Sequence, residues 1–222
     1  MKAEVANLSR KERLNLVLAR SWKFIVVLLL LAFLALTGIL IAEYLNQKNL
    51  SESAKLSEDI SDAYNEWIQD PSDTRDTSAV DELIDQAIED FPKQFASQRA
   101  YFTRGLMALE NEEWEEAAAA FMKLGDTWPE SYLAPVSLFN AAAAQEELGD
   151  IETAKTIWTR LVDEYEGASP DIPEVLFNLG RLADMNEEHE EALARYRDIV
   201  SRFPQSRWTN IAKSRILVLE NR

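Results

Sequence analysis

The side chains that could do chemistry in this sequence are few and poorly matched to one another. There is one histidine, His189, and no cysteine. That removes thiolate nucleophiles, disulfides and Cys-containing metal sites, and leaves almost nothing from which to build an imidazole site. Carboxylates are abundant and concentrate in two runs, 110–116 and 187–191. A calcium loop needs alternating oxygen ligands around a central glycine, and neither run has them. As first-turn residues the same carboxylates suit the positive end of a helix dipole on a solvated face. The six glycines are scattered, and no P-loop, dinucleotide, nucleophile-elbow or Ser-x-x-Lys pattern occurs. Nothing supports a glycosidase-type carboxylate pair. The sequence predicts no enzyme, no catalytic residues, no metal, no cofactor and no small-molecule substrate, with an enzyme kept as a remote alternative.

What remains is an architecture that positions surfaces. The 222 residues are 47% hydrophobic and 28% charged, enough for a real core. Lys plus Arg number 23 against 39 Asp plus Glu, a net charge of -16, which argues against nucleic acid and against anionic headgroups as the main partner. The charge is unevenly spread. Residues 24–42 are 19 consecutive uncharged residues bracketed by Trp22 and Tyr44. A helix of that length covers roughly 28 Å, close to the hydrocarbon thickness of a bilayer. A core helix and a cleaved signal peptide are the alternatives. The run is long for the latter, and its end, Leu40-Ile41-Ala42, lacks a small residue two before a cut. The reading is an uncleaved signal anchor. Residues 1–23 carry six basic and two acidic residues, net +4, whereas residues 24–222 carry 17 and 37, net -20. By the positive-inside rule a basic tail, 1–23, is cytoplasmic and the C-terminal part lies outside the cytoplasm, in the periplasm of a two-membrane bacterium.

Beyond a helical connector at 43–55 the sequence repeats itself. Tyr101, Gly105, Trp114, Ala117, Phe121 and Pro129 align with Leu138, Ala142, Ile151, Ala154 and Trp158, a copy that ends on Tyr165 without a proline, and with Leu176, Gly180, His189, Ala192, Tyr196 and Pro204. The three alanines are 37 and 38 residues apart, so the turns of a 34-residue helix-turn-helix unit have lengthened, which loops tolerate cheaply. Small residues fall where two helices cross closely, and aromatics fill the space between pairs. Each unit ends on an aromatic: Phe91-Pro92, Trp128-Pro129, Tyr165 and Phe203-Pro204. His189 occupies the position of Trp114 and Ile151 and reads as a packing residue at a turn. Upstream, Leu56, Ile60, Tyr64, Trp67 and Ile68 define one helix face, and Val80, Ile84, Ala87 and Ile88 a second. The turn-rich stretch 70–77 separates them, and its last residues can cap the next helix. Trp208, Ile211, Ile216 and Val218 belong to a closing helix whose polar face carries Lys213 and Arg215.

Position by position these units resemble tetratricopeptide repeats. The resemblance implies an all-α fold: one transmembrane helix, then a right-handed solenoid over 56–222. Within it lie a degenerate repeat at 56–92, repeats at 98–131, 135–168 and 173–206, and a capping helix at 207–221, about nine helices. It also implies that the first helix of each repeat lines an inner, peptide-binding groove. The register puts Phe102, Phe139 and Phe177 there, either buried against neighbouring helices or offered to a ligand. Leu106, Leu109, Val136, Asn140, Asn178 and Arg181 share the groove, with Glu146, Glu174 and Asp184 around them. Asn140 and Asn178 could bond the backbone of an extended peptide. The carboxylate clamp of some such domains needs Lys and Asn where this chain has Phe and Leu or Ala.

The basic tail, single signal anchor and Cys-free acidic repeat domain together resemble the ancillary SecYEG translocon subunit family of bacterial inner membranes. That resemblance implies partners among the translocon and periplasmic chaperones. The aromatic-Pro repeat ends also resemble envelope proteins of the cell-division coordinator and outer-membrane assembly type, which are usually secreted or anchored through a Cys that this chain lacks.

Overall fold

The computed structural model describes residues 10–70 and 75–221; residues 1–9 of the basic tail and 71–74 of the turn-rich stretch lie outside the described residues. Among the described residues there are nine helices and no strand. They are α1 (Arg10–Gln69), α2 (Ser78–Asp90), α3 (Phe95–Glu110), α4 (Trp114–Thr127), α5 (Ala134–Glu147), α6 (Ile151–Tyr165), α7 (Ile172–Met185), α8 (His189–Arg202) and α9 (Trp208–Glu220). The chain divides into two compact units, 1–52 and 53–222.

The first unit is helical throughout its described length. Its apolar stretch covers nothing and is covered by nothing: Phe24 is 77% exposed, Leu28 68% and Leu40 61%. Among the described residues this is the one helix long and apolar enough to cross a membrane, or to serve as a signal sequence. The polar hydroxyl in the run, Thr37 Oγ1, bonds back to the carbonyl oxygens of Phe33 and Leu34 at 3.0 and 2.9 Å, so no donor is left bare along it.

The second unit takes the end of α1 with α2, then the pairs α3–α4, α5–α6 and α7–α8, and closes on α9. From α2 on, each helix packs on the next, and α7 also meets α9, while Leu56, Ile60 and Trp67 of α1 share an apolar cluster with Val80, Ile84 and Ala87 of α2. What makes the pairs close is a seat. The rings of Phe121, Trp158 and Tyr196 are fully buried, and those of Phe121 and Tyr196 lie over a glycine of the first helix. A Cβ at Gly105 would stand 2.7 Å from the Phe121 ring, and one at Gly180 2.7 Å from Tyr196. Only glycine permits that approach, which brings the two helix axes together.

Local chemistry sets the helix ends. The N–H groups of Leu133, Asp171 and Trp208 donate to the hydroxyls of Ser131, Ser169 and Ser206, each at 3.2 Å. The Asp150 side chain caps α6 by accepting from the Thr153 N–H at 3.1 Å. Ahead of α2, Asp76, one residue before the N-cap Thr77, accepts from the Ser78 N–H at 3.0 Å. These bonds hold the Asp150 and Asp76 carboxyls below the usual range, the Thr153 and Ser78 side chains contributing most. Phe91, Trp128 and Phe203 each close the last turn by donating to the carbonyl four residues back. The repeat that lacks the proline uses a different stop: the Tyr165 hydroxyl donates to the Pro129 carbonyl of the preceding repeat at 2.9 Å. Between first and second helices the chain passes through the left-handed region, at Glu112 (φ 60°), Gly149 (φ 77°) and Glu187 (φ 62°). Ion pairs stitch neighbouring repeats, among them Arg160 to Asp126 at 2.5 Å and Lys155 to Glu188 at 3.0 Å.

The closing helix departs from expectation. Ala212, Thr209 and Leu219 are its buried residues, while Ile211 and Val218, expected inside, are exposed. Arg215, expected to face water, is half-buried and pairs with the buried Asp184 at 2.5 Å. Thr209 turns inward because its hydroxyl donates to the Phe203 carbonyl at 2.6 Å. The face of α9 is thereby fixed by a turn bond that hydrophobic periodicity does not register.

Candidate functional site

The nine residues placed in the groove by register, Phe102, Leu106, Leu109, Val136, Phe139, Asn140, Phe177, Asn178 and Arg181, lie on three first helices, α3, α5 and α7. All nine are half-buried, while their neighbours Gly105, Ala108, Leu138, Ala142, Leu179 and Gly180 are buried. The row is thus the boundary between core and solvent along the first helices.

The phenylalanines serve both roles the sequence left open. One side of each ring lies against the buried ring of its own repeat. Phe102 meets Phe121 edge-on at 5.7 Å, Phe139 meets Trp158 edge-on at 4.8 Å, and Phe177 lies 5.5 Å from Tyr196 and 4.8 Å from Trp208. Such pairs add about 0.5–1.5 kcal/mol each beyond burial. The other side stays partly open, so each ring is a lid on the core that also offers an apolar face outward.

Glu146 ties the middle of the row together. Its carboxylate accepts from Trp158 Nε1 at 2.9 Å and pairs with Arg181 of the next first helix. Asp184 sits at the equivalent place one repeat on and takes Arg215. In the first repeat Leu109 holds that position, so the row runs from apolar at α3 to ion-paired at α7. Glu174 pairs with the exposed Arg207 at 2.9 Å. Burial pushes the Tyr196 phenol up, opposed by the nearby Arg215 guanidinium.

The sites of imaginable chemistry do not converge. His189 is exposed at the start of α8, its Nδ1 3.7 Å from Asp184 Oδ1. It therefore neither packs like Trp114 and Ile151 nor faces a nucleophile. Among the described residues no three carboxylate or imidazole groups come together as a metal site requires. A depression of about 770 Å³ lies off the row, at the turn edge between Tyr132, Pro135, Arg160 and Tyr165.

Two residues that the sequence assigned to the closing helix and not to this row are Ile211 and Val218, which are 44% and 47% exposed. The signal for both was the serine that starts each helix. Ile211 stands five residues after Ser206, as Val136 stands five after Ser131.

Helix pairs seated by a small residue under an aromatic, stacked in register, are the geometry of one repeat family. Residues 139–207 match the tetratricopeptide repeat family. The fold is an all-helical array with tetratricopeptide repeats that follows a long apolar N-terminal helix. A TPR repeat-containing protein of Treponema pallidum (strain Nichols) is 32% identical over 108 residues, which cover 49% of this chain and 44% of that one. The chain thus spans less than half the length of the curated relative it matches. Repeats of this kind are protein-binding scaffolds, and that is the functional class to which they point.

Proposed function

We propose that the protein is a membrane-anchored protein–protein interaction scaffold. The 24–42 helix is its single span, the N-terminus is cytoplasmic, and the repeat domain lies in the periplasm, ancillary to the Sec translocon and the periplasmic chaperones. The observation that carries the binding role is the row of nine half-buried residues on α3, α5 and α7: a continuous, partly apolar strip that the fold leaves uncovered. The steep change from a net charge of +4 over 1–23 to -20 over 24–222 supports the orientation. The aromatic-Pro ends Phe91-Pro92, Trp128-Pro129 and Phe203-Pro204 favour, as second reading, an envelope protein of cell division or outer-membrane assembly.

The test places a photo-crosslinking side chain at Asn140 in the full chain, in native membranes, with the same probe at exposed Glu82 on α2 as control. Translocon subunits or periplasmic chaperones trapped at Asn140 and not at Glu82 are the expected products. Division proteins trapped there instead would select the second reading, and no protein product specific to Asn140 would sink the groove. Protease added to spheroplasts should cleave the repeat domain; full protection would reverse the orientation.

A further inference from the structure

Two first helices, α5 and α7, and the closing helix α9 are each entered through the same bond, a serine hydroxyl accepting from the N–H two residues on. Residues equally distant from Ser131, Ser169 and Ser206 therefore share a register position on α5, α7 and α9. Five and twelve residues on, α5 carries Val136 and Ala143, α7 carries Glu174 and Arg181, and α9 carries Ile211 and Val218. The row thus does not stop at the third repeat. It turns ionic on α7 and becomes apolar again on the closing helix, where Ile211 and Val218 are 44% and 47% exposed.

The ionic belt between the two apolar stations is electrically closed. Arg181 is held by Glu146, Arg215 by Asp184 at 2.5 Å, and Arg207 by Glu174 at 2.9 Å. The Glu146 and Asp184 side chains are only 16% and 6% exposed. A ligand charge laid across the belt would have to break a partly buried pair, whereas an uncharged polar stretch need not. We infer that the groove takes a protein segment with two short apolar stretches separated by an uncharged spacer, one stretch on α3–α5 and the other on α9. This rests on the groove being the binding surface. Two steps between alternate helices, each at least the 8–10 Å of a directly packed pair, set the stations at least roughly 20 Å apart, which an extended chain covers in about six residues or more.

The experiment uses the full chain in nanodiscs, with empty discs subtracted, and fluorescein-labelled peptides read by anisotropy. The parent peptide has two Leu-Val-Leu stretches joined by six Ser/Gln residues; the others carry Glu or Lys in the spacer or lack one stretch. The parent should bind at least about tenfold more tightly than any of these, with little change between low and high salt. Val218→Asp should reduce the parent to the affinity of the one-stretch peptide, and Leu106→Asp should weaken it by about tenfold or more. If Leu106→Asp weakens binding and Val218→Asp does not, the second station is wrong and the groove stands. If neither matters, both readings fall. A charged spacer that binds as well as the Ser/Gln one overturns the uncharged occupant. Both positions are at least partly exposed, and circular dichroism of each variant confirms that the fold is retained.

Discussion

The third repeat and the closing helix solve the same register position in opposite ways. On α7 the position is Gly180, and the Tyr196 ring of α8 lies on it so closely that a Cβ would stand 2.7 Å away. On α9, eleven residues after Ser206 as Gly180 is eleven after Ser169, the position is Leu217, 63% exposed. A leucine there would hold a ring farther from the helix than Gly180 does. The comparison also separates closure of the core from exposure of the row, since α9 keeps the row and gives up the seat.

The comparison can be broken most severely by emptying a seat. Trp158 is fully buried and both stacks on Phe139 and donates to Glu146. Trp158→Ala should cost about 3–5 kcal/mol in urea unfolding, the largest loss expected of any single change in the domain. Making the closed seat resemble the open one should cost less. Gly180→Leu forces leucine against a rigid buried ring, and overpacking of that kind costs about 1–3 kcal/mol, visible as faster hydrogen exchange in α7 and α8. A smaller effect is expected at alkaline pH. Burial raises the Tyr196 phenol above its unfolded value of about 10, so its neutral form is the one the fold keeps. Its contribution is intact below pH 10 and is lost as pH rises through the folded value. Tyr196→Phe should blunt the alkaline fall in melting temperature without abolishing it, because Tyr64 and Tyr165 are raised by burial too. The smallest effect is at the open seat: Leu217→Ala should stay within about 0.5 kcal/mol. A loss comparable to that of Gly180→Leu would show that Leu217 packs against the domain.

The fold was legible because its signals are local and repeated. Gly105, Ala142 and Gly180 recur with Phe121, Trp158 and Tyr196, and for the two glycines the recurrence marks a contact that the helix geometry must make. The apolar run at 24–42 was legible from composition alone. The row on α3, α5 and α7 followed from the same register. Its electrostatics did not: that Glu146 reaches both Trp158 and Arg181, or that Arg215 turns in to Asp184, depends on rotamers and on helix-to-helix distances that no spacing encodes. Ile211 and Val218 were misjudged because apolar residues at helical spacing read as core, whereas the Thr209 hydroxyl bond to Phe203 rotates that face outward.

The turns at Glu112, Gly149 and Glu187 carry a consequence for how the array comes apart. Glycine enters the left-handed region at no steric cost, whereas a side chain there costs about 1–2 kcal/mol. In a stack where each unit touches only its neighbours, such local penalties are not averaged over the whole domain. The first and third repeats carry one each, while the middle repeat, with Gly149, carries none and is flanked on both sides. Opening should therefore begin in the outer pairs and reach α5–α6 last, which makes the middle repeat the slowest-exchanging segment and the natural nucleus from which the stack re-forms.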